Sequence, residues 1–194
     1  MPDARREPGF GGRPRRHSGE RARAAADALG DLELTRWCAD VIVGGTAYGD
    51  PGLPDPGWLA GRAVSSWGAP DCLDAATGYW ARVWATRTLL YVSDESVTPD
   101  VVAGLEDPAW RVREMCAKAC ARWQVAAAAD WCLRLLGDEV PRVRAGALRV
   151  LAAVGEGEHT GAVQRALGDP EPAVVAAAER AVKVLADRLD RSLT

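Results

Sequence analysis

From Ala24 onward the apolar residues recur at helical spacing. Leu29, Leu32, Trp37, Val41 and Ile42 make a first amphipathic stretch, which Gly44 and Gly45 close as a C-cap signal. The next segment, GGTAYGDPGLPDPG at 44–57, is too rich in proline and glycine for helix and reads as a loop. Its glycines do not form a phosphate loop, since no strand precedes them and no Gly-Lys-Ser/Thr follows. Short helical pieces are predicted around Trp58–Ser66 and Pro70–Ala76, so residues 24–75 read as an N-terminal helical cap.

Beyond residue 76 the pattern repeats. The segments LEDPAWRVREMCAKACARW from Leu105, LGDEVPRVRAGALRVLAAV from Leu136 and LGDPEPAVVAAAERAVKVL from Leu167 align without a gap at a spacing of 31 residues. Asp107, Asp138 and Asp169 fall in register, as do Val112, Val143 and Val174. A fainter copy places Arg82, Ala85, Leu89 and Val92 one period before Arg113, Cys116, Cys120 and Trp123. A period of this length marks stacked helical units, each unable to bury its apolar face alone. Each unit reads as a short helix (Pro99–Glu106, Ala128–Leu136, Gly161–Leu167), a turn, and a longer second helix. The second helices are predicted at 79–92, 110–123, 141–154 and 172–185, and residues 76–194 as about four repeats. Pro108, Pro141 and Pro170 or Pro172 fall at the turn or the first helical turn, where a missing N–H costs little.

The pattern Asp-Pro-x-x-x-Val-Arg-x-x-Ala in these segments resembles HEAT repeats, in the short form also found in phycobilisome lyases. The resemblance implies an all-α fold: an α-solenoid of stacked antiparallel helix pairs, with the second helices lining a concave side. It also implies a ladder between units, formed by Asp107, Asp138 and Asp169 with Arg113 and Arg144. The last copy departs from the pattern with Val175 in the arginine position, and the first has Ala76 where the turn aspartate would stand, as expected at the ends of an array.

Charge divides the chain into three parts. Residues 1–23 carry seven Arg against Asp3, Glu7 and Glu20, with too little apolar content to offset ordering entropy, so they read as a disordered basic tail. Residues 24–75 hold eight acids against Arg36 and Arg62, and residues 76–194 hold sixteen acids and fifteen bases. No apolar run approaches the roughly 20 residues that span a bilayer, and no secretory signal is visible. The five cysteines are an odd number without paired-motif spacing, which suits a reducing cytoplasm rather than a disulfide framework. Arginine far outnumbers lysine, and alanine and glycine are abundant, as GC-rich bacterial coding produces.

Candidate chemistry mostly dissolves on alignment. Cys116, Cys120 and Cys132, with His159, invite a zinc reading, yet Cys116 shares its position with Ala85, Ala147 and Ala178. Likewise Cys120 matches Leu89, Leu151 and Val182, and Cys132 matches Val101 and Val163, so the thiols read as small core residues. The turn aspartates read as helix-start caps and ladder members rather than as acid–base catalysts. His17 and His159 have no nucleophile partner in their sequence context. Neither an enzyme nor a cofactor is indicated, and no small-molecule substrate is evident.

One pattern survives the alignment. At 100° per residue, Val112, Cys116, Ala119, Cys120 and Trp123 form a core stripe, while Arg111, Met115, Lys118 and Arg122 form a separate flank. Carried through the period, that flank gives Arg87, Lys118, Arg149 and Arg180, with Trp80, Arg111 and Arg142 in a second row and Trp84 and Met115 between. The second helices total eleven bases against the acids Glu114 and Glu179. If they line a concave face, that face is positive and begins at the aromatic residues Trp80, Trp84 and Tyr91. The sequence therefore points to a non-catalytic cytoplasmic scaffold that binds an acidic segment of a protein partner. A nucleic-acid reading, similar to the alkylpurine DNA glycosylases built on HEAT-like repeats, fits the basic face but not the net acidic body. A bilin-lyase-like role is the third, with nothing marking a tetrapyrrole site.

Overall fold

The computed structural model describes residues 17–45, 57–60 and 78–190. Among them every regular element is helical, with no strand. They fall into two compact units that divide between Asp100 and Val101.

In the first unit α1 (Ser18–Leu29) begins six residues before the predicted start of helix. Ser18–Arg23 are thus helical rather than part of a disordered tail, while residues 1–16 lie outside the described residues. The reason is a capping box: the His17 imidazole accepts the Gly19 N–H at 3.2 Å, and the Glu20 carboxylate takes the His17 N–H at 3.2 Å. Ala22, Ala25 and Ala26 then bury a small-residue stripe. The predicted single stretch is two helices, because Gly30 sits at φ +87°, in the region open to glycine, and breaks α1 from α2 (Asp31–Val43). α2 buries Leu34, Trp37, Cys38, Val41 and Ile42 and ends at Gly44 in the left-handed conformation. Leu32, placed by periodicity on the apolar face, is 46% exposed.

A single helical turn, α3 (Gly57–Ala60), falls within the predicted piece at Trp58–Ser66. The predicted piece at Pro70–Ala76 and most of the loop at 44–57 lie outside the described residues. α4 (Tyr79–Leu89) is the hub of this unit: α1, α2 and α3 all pack on it. Its buried hydroxyls are satisfied within the helix, Thr86 donating to the Arg82 carbonyl at 2.8 Å and Thr88 to that of Trp84 at 3.0 Å.

α5 (Thr98–Ala103) is continued by a 3-10 turn, Gly104–Glu106, and leads to α6 (Trp110–Trp123). The second unit then alternates short and long helices: α7 (Ala129–Leu135), α8 (Pro141–Val154), α9 (Thr160–Arg165) and α10 (Pro172–Leu189). α6, α8 and α10 lie side by side in order, and α7 and α9 each pack on the long helix that follows. The repeat positions explain the core. Val112 and Val143 are wholly buried and Val174 is 1% exposed, while Cys116, Ala147 and Ala178 are at 0%, as are Val101, Cys132 and Val163. The repeated leucine behaves otherwise: Leu105 is buried, Leu136 is half-buried and Leu167 is 41% exposed. Packing is tight where α8 meets α6, since a β-carbon on Gly146 would come within 3.2 Å of the Ala117 β-carbon.

The turns carry a repeated hydrogen-bond network. Asp107 accepts the Ala109 N–H at 2.7 Å, Asp138 that of Val140 at 2.8 Å, and Asp169 that of Glu171 at 2.9 Å. These aspartates stand two residues before Ala109, Val140 and Glu171, the true N-cap residues, so they order the turn rather than cap the helix directly. Arg113 donates through Nε and a terminal nitrogen to both Asp138 oxygens, at 2.8 and 3.1 Å, and through its other terminal nitrogen to the carbonyls of Asp107 and Pro108. Arg144 repeats this one unit later, gripping Asp169 with two bonds of 2.8 Å and its own turn through the Asp138 carbonyl. Each guanidinium therefore ties its own turn to the next. On α10, Glu179 and Lys183 are exposed where Leu148 and Ala152 stand on α8.

Candidate binding surface

The basic flank of the long helices divides by exposure. On α8 and α10 the cations Arg142, Arg149 and Arg180 are exposed, as is Arg122 at the end of α6, and none of the four makes an ion pair among the described residues. Lys118 is half-buried and paired with Glu114 at 3.1 Å on its own helix. Arg111 is half-buried, its guanidinium 4.3 Å from the centre of the Trp110 ring. Met115 is half-buried, and the equivalent positions on α8 and α10 hold the small residues Gly146 and Ala177. Both small residues are buried, so on α8 and α10 this flank exposes its arginines, Arg142, Arg149 and Arg180.

The aromatic cluster on α4 is not an open surface. Trp84 is only 8% exposed, which removes it from any contact with a partner. Its ring stacks on Trp80 with centroids 6.3 Å apart, and Trp80 in turn meets Tyr79 at 5.2 Å. Arg87 is half-buried, and Tyr91 packs edge-on against His17 at 5.9 Å. α1, α2 and α3 all pack on α4, and these contacts have no counterpart in the repeat alignment. Trp80, half-buried, and Tyr91, 37% exposed, keep partial access.

The second unit also carries contacts that alignment does not point to. Arg134 lies over the Trp131 ring at 4.3 Å on α7. Arg188, in the additional turn of α10, donates to the Gly155 carbonyl at 2.8 Å and to that of Ala152 at 3.4 Å, capping the end of α8. Only the length of α10 beyond the repeat register could have signalled it. His159 is buried, and its Nδ1 accepts the Glu156 N–H at 2.9 Å, so the ring holds a turn.

Among the described residues no group of three or more His, Cys, Asp or Glu is placed to hold a metal ion. Cys38, Cys116, Cys120 and Cys132 are buried, each at 0% exposure. Burial pushes the Cys120 thiol up to about 12 and raises those of Cys38 and Cys132 well above the ordinary thiol range. Iodoacetamide at neutral pH is therefore expected to leave all four unmodified in the folded protein and to alkylate them in guanidinium. Peptide mapping checks this, and labelling of any of the four without denaturant would contradict their burial. No helix among the described residues is long and apolar enough to cross a membrane.

No curated protein matches the sequence. Residues 98–183 match the family described as HEAT repeats, a stretch that runs from α5 into α10 and contains both arginine–aspartate rungs. With its helix pairs, its 31-residue register and this match, the chain is a HEAT-repeat protein over that stretch.

Proposed function

We propose that the chain is a non-catalytic scaffold whose exposed arginines on the long helices dock an acidic segment of a protein partner. HEAT repeats are helical scaffolds that typically mediate interactions, which supplies the class of function. The observation that carries the finer reading is the set Arg122, Arg142, Arg149 and Arg180: four exposed guanidiniums, none engaged by an acid among the described residues. Cations needed for the fold are used otherwise, as Arg113, Arg144 and Arg188 show through their bonds to carboxylates and carbonyls. Unpaired exposed arginines gain most when a carboxylate-rich chain supplies bidentate partners. We also read α4 as the second helix of a fourth, degenerate repeat, because Tyr79 stands one 31-residue period before Trp110.

The test is fluorescence anisotropy with a labelled oligoglutamate and, in parallel, a labelled DNA duplex at low salt. Saturable, salt-sensitive binding of the peptide with weaker or no binding of the duplex supports the reading. Preference for the duplex would replace it with nucleic-acid binding.

A further inference from the structure

In the first unit, α2 has two distinct sides. Leu34, Trp37, Cys38, Val41 and Ile42 fill the core. Leu32, Arg36, Asp40 and Val43 are all exposed and share one strip of the helix, about 80° wide at 3.6 residues per turn. A single exposed aliphatic side chain is ordinary surface. Here Leu32, 46% exposed, and Val43, 51% exposed, bracket the strip with a cation and an anion between them.

The order apolar, positive, negative, apolar is its own complement when read in reverse. Two copies of α2 laid antiparallel about a two-fold axis pair each residue reciprocally with its counterpart. With the axis level with Cys38, Arg36 stands opposite Asp40 of the second copy, and Asp40 opposite its Arg36. In the same register Leu32 and Val43 of the second copy differ in height by a single residue, about 1.5 Å, so both ends close on apolar contact. A parallel pairing would set arginine on arginine and aspartate on aspartate, so the charges select the antiparallel one.

We propose that this strip of α2 is a self-association surface whose partner is a second copy of the chain, held antiparallel by reciprocal Arg36–Asp40 pairs between Leu32–Val43 contacts. Arg36 also acts on Asp94, whose carboxyl the Ser96 hydrogen bonds first, and then the arginine charge, hold below its ordinary range. The five N–H donors of a guanidinium can serve a carboxylate from each copy. A contact centred on one 13-residue helix is smaller than the roughly 1,600 Å² of a standard interface, so the dimer is weak, with a Kd on the order of 0.1 mM. None of the four residues belongs to the docking arginines on α6, α8 and α10, so self-association is independent of the proposed docking.

The test is sedimentation equilibrium of the full chain from about 10 μM to about 1 mM, a range that brackets such a Kd. The average mass is expected to rise with concentration from 20.6 kDa toward twice that value. Arg36→Glu sets acid against acid at both contacts, and Asp40→Arg sets arginine against arginine, so each alone should dimerise at least about tenfold more weakly. An equimolar mixture of the two variants should regain wild-type association, because every arginine then meets an acid. If either variant fails to fold by circular dichroism, the Leu32→Ser, Val43→Ser variant leaves both charges in place and should also weaken the dimer at least about tenfold. A wild-type mass that stays at 20.6 kDa throughout overturns the proposal. So does a dimer that neither reversal weakens, or a mixture of the two folded variants that remains monomeric.

Discussion

Replacing Asp169 with alanine is expected to cost the second unit about 3 kcal/mol, with Arg144→Ala close behind. The pair is nearly buried, with side chains 10% and 12% exposed, and removing one partner leaves the other charge desolvated and unanswered. Asp169→Ala also frees the Glu171 N–H at the entrance to α10. The double substitution should cost less than the sum of the singles, because the orphaned charge is then gone. Urea unfolding of the four proteins measures the coupling, and strictly additive costs would show that the rung is not an energetic unit.

The same rung sets an acid dependence. The Arg144 hydrogen bonds first, then the Glu171 N–H and the arginine charge, hold the Asp169 carboxyl below its ordinary range. Its contribution is thus fully present above the unfolded carboxyl value, about 3.9, and is lost as pH falls through the lower folded value. The gap in stability between wild type and Asp169→Ala should stay constant from neutral pH down to about pH 5 and close below about pH 4. A gap that closes near pH 6 would assign the effect to another group.

The second large effect is steric. Gly146→Leu should destabilise by about 3 kcal/mol, because even one carbon there would come within 3.2 Å of Ala117 and leucine brings three more into the α6–α8 contact. Gly146→Ala should be nearly neutral, since a helix-propensity gain of about 1 kcal/mol offsets a small separation of the helices. Thermal melting of the two variants tests this, and a leucine variant as stable as wild type would mean that the contact is loose.

How much of this was written in the sequence depends on whether a residue's surroundings repeat. Trp110–Trp123 and Pro141–Val154 run over the spans that the period predicts, because identical neighbours impose identical boundaries. The burial of Cys116, Cys120 and Cys132 follows for the same reason: each stands where another copy holds Ala, Leu or Val. The reading weakens where the neighbour is unique. Trp84 takes a position that alignment gives to solvent, but the cap helices pack on α4, and their contacts have no period to reveal them. The start of α1 was hidden by its arginines, which look like tail, while the decisive signal was the local His17–Glu20 capping box. At the other end, α10 continues past its register to Leu189, and only that added turn delivers Arg188 to the carbonyls closing α8.

The arginines are the reverse case. Arg142 and Arg149 lie two turns apart on one side of α8, and Arg180 carries the Arg149 position onto α10, so their shared face was legible. Their lack of acid partners among the described residues was not, because it depends on where side chains such as Asp138, Asp169 and Glu156 spend their oxygens.

The most direct test of the scaffold account is the affinity of the labelled oligoglutamate for the Arg142→Glu, Arg149→Glu, Arg180→Glu triple variant, with Arg165→Glu on α9 as the exposed-charge control. Each reversal at an exposed rim should remove about 0.5–1 kcal/mol, so the triple variant is expected to bind at least about tenfold more weakly while the control loses far less. Equal affinities for wild type and the triple variant, or an equal loss in the control, would contradict the assignment of docking to the long-helix face.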